Sequence, residues 1–361
     1  MLKKMSLIFM AVCLLLTFSA CGGAPAAQTP PAQTPGGEPE AEDLQTALDN
    51  MQAIELKMPI TLADNHVLTE GIQHWADKVE EATQGKVTVT IYPSGTLMKS
   101  GTIYPGVRDG VAEVAEEDIA YNPAEFPLFS GIFMGGIQFD DCVNASLAAN
   151  EWIHQDFAEY NDVKMLWAYS MPPSVLMGNK RIEKLEDMTG TQVRVTGFCV
   201  STVQLLGSTP VGLTMPETYD ALLKGTVDVN MANPGTLGKP NNLAEVSKYV
   251  TLIPGISYIP HPIFMNKRTW ESLPPAVQAE IERVSLEAVV ETGQLADDYY
   301  NSGLEFADSL GVEIIELSDA ELARWYEAIT PQHQAWIDEK NAAGLDGQGA
   351  FDILMELSDK Y

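Results

Sequence analysis

The sequence predicts a two-lobed α/β protein with mixed sheets and a long helix shared by both lobes. Three observations point there. Residues 192–231 alternate strand, helix, strand, helix, strand, the pattern of a mostly parallel sheet. A helical apolar stripe continues from Pro274 to Leu310, about 54 Å at 1.5 Å per residue, more than one small lobe can use. The chain has 361 residues, too many for one ordinary small core and enough for two. Apolar residues make up 45% and charged residues 20%, a soluble globular composition. The formal net charge of −29 argues against nucleic acid or an anionic membrane surface as the main partner.

In chain order, Lys3 and Lys4 precede an apolar run at 7–16 that is too short to span a bilayer. Phe18-Ser19-Ala20-Cys21 then resembles a bacterial lipobox. The expectation is a signal peptide over 1–20, cleavage before Cys21, and lipidation of that cysteine. Residues 21–53 read as a lipidated cysteine and a disordered tether. Residues 22–43 are rich in Gly, Ala, Pro, Gln and Thr and cannot build a core. Their reach would be on the order of 25–30 Å.

Folded structure is expected from Ile54. A strand at 55–61 leads through Asp64-Asn65-His66 to a helix carrying Leu68, Ile72, Trp75 and Val79. Val87, Val89 and Ile91 alternate as a second strand. A helical run closes at Gly110, and a strand at 111–115 delivers Glu116, Glu117 and Asp118 at its carboxyl end. A helix at 145–160 precedes an apolar strand, 163–169, expected to cross between lobes. The second lobe follows. A strand forms at 192–195, then a helix with Val203 and Leu206 ends at Gly207. Pro216 fits a first helical turn, and Gly225 closes a helix with Tyr219, Leu222 and Leu223 on its apolar stripe. Val227, Val229 and Met231 form the next strand. His261-Pro262-Ile263-Phe264 re-enters the first lobe. Two or three short helices with Trp325, Trp336 and Phe351 finish the chain. The expected division is 54–172 with 261–296 in lobe I, and 173–260 with 297–361 in lobe II.

Several spaced elements resemble the solute-binding proteins of tripartite ATP-independent periplasmic (TRAP) transporters of DctP type. They are Asp187, Gly190, Arg194-Val195, Pro210-Val211, Glu217-Thr218-Tyr219-Asp220-Ala221-Leu222 and Gly225-Thr226-Val227-Asp228. Tyr92-Pro93-Ser94-Gly95-Thr96-Leu97 and Phe126-Pro127-Leu128 add to the likeness. The resemblance implies a type II periplasmic-binding-protein-like fold, no enzymatic activity and no cofactor. It also implies a small organic acid as ligand and TRAP permease subunits as partners.

Open α/β sheets bind ligands outside the carboxyl ends of their strands. Arg194 ends one strand there, and its planar guanidinium suits a bidentate carboxylate contact. The matching arginine of the family binds the ligand carboxylate. Asn233 matches a family asparagine beside the ligand, with Asn230 as its rival. Met215 is a candidate pocket wall, with core packing as its alternative, and Phe198 is a second candidate of the same kind. Tyr169 ends the crossing strand with its hydroxyl available to a cleft or to a core edge. Glu116 and Glu117 are candidate acceptors for ligand hydroxyl or ammonium groups. Acid-sugar-binding members of the family carry a second arginine where this chain has Ser174.

Four cysteines reduce to Cys142 and Cys199 once Cys13 and Cys21 are assigned to the signal. They read as two separate buried thiols. The five histidines are scattered, and nothing has zinc-ligand spacing. There is no nucleophile elbow, phosphate-binding Gly-rich loop or His-Glu-x-x-His. The expected function is capture of a carboxylate-bearing solute outside the cytoplasmic membrane, where the protein is lipid-anchored. A ligand-sensing partner of a signalling receptor, or an exported hydrolase, is the alternative.

Overall fold

The computed structural model describes residues 43–361. The expected signal, Cys21 and residues 22–42 lie outside the described residues. Ordered structure begins earlier than expected, at helix α1 (Leu44–Asn50). Asp43 caps it by accepting the Thr46 amide at 3.1 Å. Ala47 and Leu48 are buried in the first-lobe core. Residues 44–50 are therefore not tether: a Leu-x-x-Ala-Leu stripe suffices for one anchored turn pair once a core is present.

The first lobe continues with β1 (Ile54–Pro59), α2 (Val67–Ala82), β2 (Val87–Tyr92), α3 (Ile103–Asp109), β3 (Val114–Glu116), α4 (Cys142–Ile153) and β4 (Val163–Met171). The chain then enters a second sheet through β5 (Val175–Gly178), β6 (Gln192–Val195), α5 (Val200–Leu205), β7 (Thr209–Gly212), α6 (Met215–Leu223), β8 (Val229–Ala232) and β9 (Tyr249–Leu252). Strand β10 (Ile259–Asn266) brings it back, followed by α7 (Lys267–Ser272) and α8 (Pro275–Ser309). Strand β11 (Glu313–Glu316) and helices α9 (Asp319–Ile329), α10 (Pro331–Ala342) and α11 (Gly347–Lys360) complete it.

Among the described residues, β1 and β2 pair in parallel and β10 lies antiparallel between β3 and β4. The second sheet has the order β11-β9-β5-β8-β6-β7. Strand β6 runs parallel to β7 and β8, while β5 runs antiparallel to β8 and β9. The sheet is mixed, as expected, because the unforeseen β5 enters it reversed. All four β5 residues are buried. A four-residue apolar run behind Pro172-Pro173 is too short to announce a strand by alternation.

The chain passes between the sheets at 172–174 and returns at 253–258, and the Ser174 amide donates to the Ser257 carbonyl at 2.9 Å. Helix α8 binds both sides. Val277, Ile281, Val284 and Ala288 join the first-lobe core with Trp75 of α2. Further along, Gly303 meets the Pro234 carbonyl so closely that a Cβ would collide with it. The stripe holds to Ala307, but Leu310, expected on the same face, is exposed.

The last helices divide. Trp325 and Ile329 of α9 pack in the second-lobe core. Trp336, Ile337, Ala350, Leu354 and Leu357 of α10 and α11 instead join the first-lobe core of Phe129, Phe133 and Trp152. The Trp336 indole donates to Ser130 at 2.7 Å. Placing all of 297–361 with lobe II is corrected for these two helices. Their apolar faces fit a bundle on either lobe, and only the partner decides. Cys142 and Cys199 are both buried free thiols.

Candidate ligand-binding site

Strand β6 lies between β7 and β8, and its Val193 and Arg194 have strand partners on both sides. Arg194 sits opposite Val211 of β7 and Asn230 of β8. Its side chain is 1% exposed. The Nε donates to the Leu213 carbonyl at 2.9 Å, and Nη1 reaches Asn230 Oδ1 only at 3.5 Å. Among the described residues, no carboxylate lies within 4.0 Å of the guanidinium. Burial pulls its pKa below the usual arginine range, and Tyr121 and Asp118 act the other way. A guanidinium taken out of water without an ionic partner is costly to hold.

The atoms around it are unsatisfied as well. Asn230 Nδ2, Asn233 Oδ1, Thr196 Oγ1 and Ser174 Oγ are buried without a hydrogen-bond partner. Three of them flank one sheet end, and Asn230 lies within β8 opposite Arg194. Thr196 follows β6 and Asn233 follows the parallel β8. Ser174 precedes β5, whose Val175 pairs with Ala232 at the end of β8. Buried polar atoms in folded proteins are nearly always paired. Three orphans at a sheet end and a fourth beside a guanidinium without an ionic partner depart from that rule.

The first lobe faces this edge with the loop after β3. Ala120 of that loop places its carbonyl oxygen 3.4 Å from where a Cβ on Gly197 would stand. Within this loop, Tyr121 and Asp118 reach Arg194 electrostatically. Asp118 is 6% exposed and caps the turn Ile119–Tyr121, its Oδ1 accepting the Ala120 amide at 2.9 Å. Burial raises its pKa, and His261 and Arg194 oppose that. Burial lifts the Tyr121 phenol to about 12, with Asp118 adding to the shift.

The expected acceptors prove to be occupied. Glu116 takes the Thr61 amide at 2.8 Å, the Thr61 hydroxyl at 3.0 Å, the Tyr169 hydroxyl at 3.4 Å and a short bond from His261 Nδ1. Burial alone would raise its pKa, but His261 and Thr61 hold it below the ordinary range. The same pairing, working against burial, raises that of His261. Glu117 accepts the Gly101 and Tyr104 amides at 2.5 and 2.8 Å and the Asn122 amide at 2.9 Å. It thus caps the N-terminus of α3. Burial lifts its pKa to about 7. Glu116, Glu117 and the Tyr169 hydroxyl thus each bond within the first lobe, Glu116 to four donor groups and Glu117 to three. Tyr169 also stacks on His261 at 5.5 Å.

The remaining candidates, Met215 and Phe198, pack against hydrophobic cores. Met215 is half-buried against the second-lobe core. Phe198 crosses to the first lobe, its ring 4.8 Å from Phe133. Sequence reasoning missed Asp118, Tyr121 and Thr196 as site residues. The first was visible as the third acid of the run after β3, but nothing in the run tells which carboxylate faces inward. Among the described residues, no group of His, Cys, Asp or Glu is placed to hold a metal ion, and no helix is long and apolar enough to cross a membrane.

Comparison with known proteins gives a consistent picture. The model of the DctP family, bacterial extracellular solute-binding protein family 7, matches residues 59–340. The C4-dicarboxylate-binding periplasmic protein DctP of Rhodobacter capsulatus is 24% identical over 301 residues, covering 77% of this chain and 86% of its own. A TRAP periplasmic solute-binding protein from Desulfovibrio salexigens, solved as an open complex, superposes with a TM-score of 0.76. It is 30% identical over 85% of this chain and 96% of its own. A marine metagenome TRAP solute-binding protein gives 0.80 at 26% identity, over 86% and 99%.

Proposed function

The chain belongs to the DctP family of TRAP solute-binding proteins, and on that footing we propose that it captures a small carboxylate-bearing organic solute at Arg194 and delivers it to a TRAP permease. The observation that carries this is the buried guanidinium with no carboxylate within 4.0 Å. A ligand carboxylate would supply the missing charge and accept from Nη1 and Nη2 in parallel. Asn230 Nδ2 and the Thr196 and Ser174 hydroxyls stand ready as further donors. The marine metagenome relative, described as specific for aromatic acid ligands, holds 3-hydroxybenzoate, which supports an organic acid here.

Capture works by closure rather than chemistry. The two lobes hinge at 172–174 and 253–258, and α8 bends or shifts between them. Contacts made only when the loop at 118–121 meets the second sheet drive the closed state. Lipid on Cys21 keeps the protein at the outer face of the cytoplasmic membrane. Cys21→Ser should move it to the soluble fraction.

Native mass spectrometry of gently purified protein should reveal a co-purifying acid, and calorimetry on that acid tests the site. Binding that survives Arg194→Ala within about threefold would place the pocket elsewhere and end this reading.

A further inference from the structure

The buried charges of the described residues do not balance at the cleft. The buried basic side chains are Arg194, Lys340, His66 and His261. Lys340 pairs with Glu339, and His261 with Glu116. Burial, with His261 adding to it, pulls the His66 pKa down to about 4, so that imidazole is neutral at neutral pH. Among the described residues, Arg194 is left as the buried cation with no acidic partner within 4.0 Å. Acids gather across from it. Glu116, Glu117 and Asp118 are consecutive and all buried. Besides its own burial, the Tyr121 phenol is acted on by Asp118, Arg194, Glu117 and Glu116, so one side chain registers the arginine and all three acids. His261 offsets Glu116, whereas Glu117 and Asp118 have no basic partner within 4.0 Å. The other unsatisfied side chains beside Arg194 are those of Asn230, Asn233, Thr196 and Ser174, all neutral. They can hydrogen-bond a ligand without offsetting its charge.

One ligand carboxylate matches this inventory. It cancels the guanidinium, and both ions leave water as a pair. A second carboxylate on the same ligand meets no further cation. It is desolvated without a partner, which is the costly case, and it stands among acids of its own sign. We propose that the cleft takes monocarboxylates and rejects dicarboxylates, because Arg194 balances one negative charge and nothing beside it balances another. The inference rests on the carboxylate reading of Arg194 and narrows it to a ligand charge. It also separates this chain from the Rhodobacter capsulatus relative, which is named for binding C4-dicarboxylates.

The test is calorimetry at neutral pH on acids that differ by one charge at nearly constant shape. One set is butyrate, succinamate and succinate; the other is benzoate, 3-carbamoylbenzoate and isophthalate. Each half-amide replaces one carboxylate of its diacid with a neutral group of the same size, so a steric limit would exclude both alike. The unsubstituted acid shows what the amide itself contributes. In wild type the tightest ligand of each set that binds should carry a single carboxylate. The diacid of that set should bind on the order of 30-fold more weakly, or worse. A diacid that binds within about tenfold of the tightest monocarboxylate of its set, and is lost in Arg194→Ala, would overturn the inference while leaving the carboxylate reading intact. A dicarboxylate recovered with the purified protein would do the same. Failure of every acid to bind wild type, or undiminished binding by Arg194→Ala, would overturn the carboxylate reading and this inference together.

Discussion

The two walls of the cleft are both polar and both buried, yet they differ in how their groups are used. On the first-lobe wall, Glu116 accepts from an amide, two hydroxyls and a histidine, and Glu117 from three amides. On the second-lobe wall, Arg194 has one good hydrogen bond, and Asn230, Asn233, Thr196 and Ser174 each have an orphan atom. Satisfied buried polar groups hold a fold in one arrangement, whereas unsatisfied ones store a cost that a ligand can relieve. The contrast separates architecture from binding more sharply than residue type does, since carboxylates are a natural choice for either role.

The comparison breaks most visibly at Glu116. Removing one member of a buried ion pair leaves the other charged and unpaired, which costs roughly 3–5 kcal/mol. Glu116→Ala should therefore lower stability by that order in urea unfolding, through stranded His261. A loss under about 1 kcal/mol would mean that the pair is not structural.

Arg194→Ala should do the reverse. Ligand affinity should fall by roughly 2–5 kcal/mol, the cost of stranding a desolvated partner. The ligand-free protein should keep or gain stability, because an unpaired buried charge has been removed. Arg194→Lys retains charge without the planar fork and should also weaken binding. A ligand-free Arg194→Ala protein that melts well below wild type would make the arginine architectural.

Titration sharpens the contrast next. Burial lifts Glu117 and Glu159 to about 7, from an unfolded value near 4.5. Such groups bind more protons folded than unfolded between those values. Their contribution is full below about 4.5 and is lost as pH rises through about 7, on the order of 3 kcal/mol each. Glu117→Gln should flatten the fall in stability between pH 5 and 8, measured by urea unfolding. An unchanged slope would show that its three donors keep it ionised throughout.

The smallest effect is expected at Ser174. Its hydroxyl has no partner in the free protein, so Ser174→Ala should leave apo stability within about 1 kcal/mol of wild type, or raise it slightly. Affinity for the ligand should drop by about 1 kcal/mol, roughly fivefold, if the hydroxyl donates to it. Loss of stability with unchanged affinity would move Ser174 to the architectural side.

The sequence by itself determined the α/β class, the core of the second sheet and the position of Arg194. These follow from local periodicity: apolar alternation marks β6 and β8, the α8 stripe repeats over 35 residues, and a strand's carboxyl end faces outward by topology. The tertiary structure alone decided which polar groups are spent. Glu116, Glu117 and Asp118 are adjacent in the chain and alike in chemistry. Their partners lie far away in sequence or in the next turn: His261 for Glu116, the α3 amides for Glu117, and only Ala120 for Asp118. The same holds for α10 and α11, whose apolar faces name no lobe until Phe129 and Trp152 meet them. Hydrogen-bond satisfaction and docking depend on distances between segments, and periodicity within a segment carries no information about those distances.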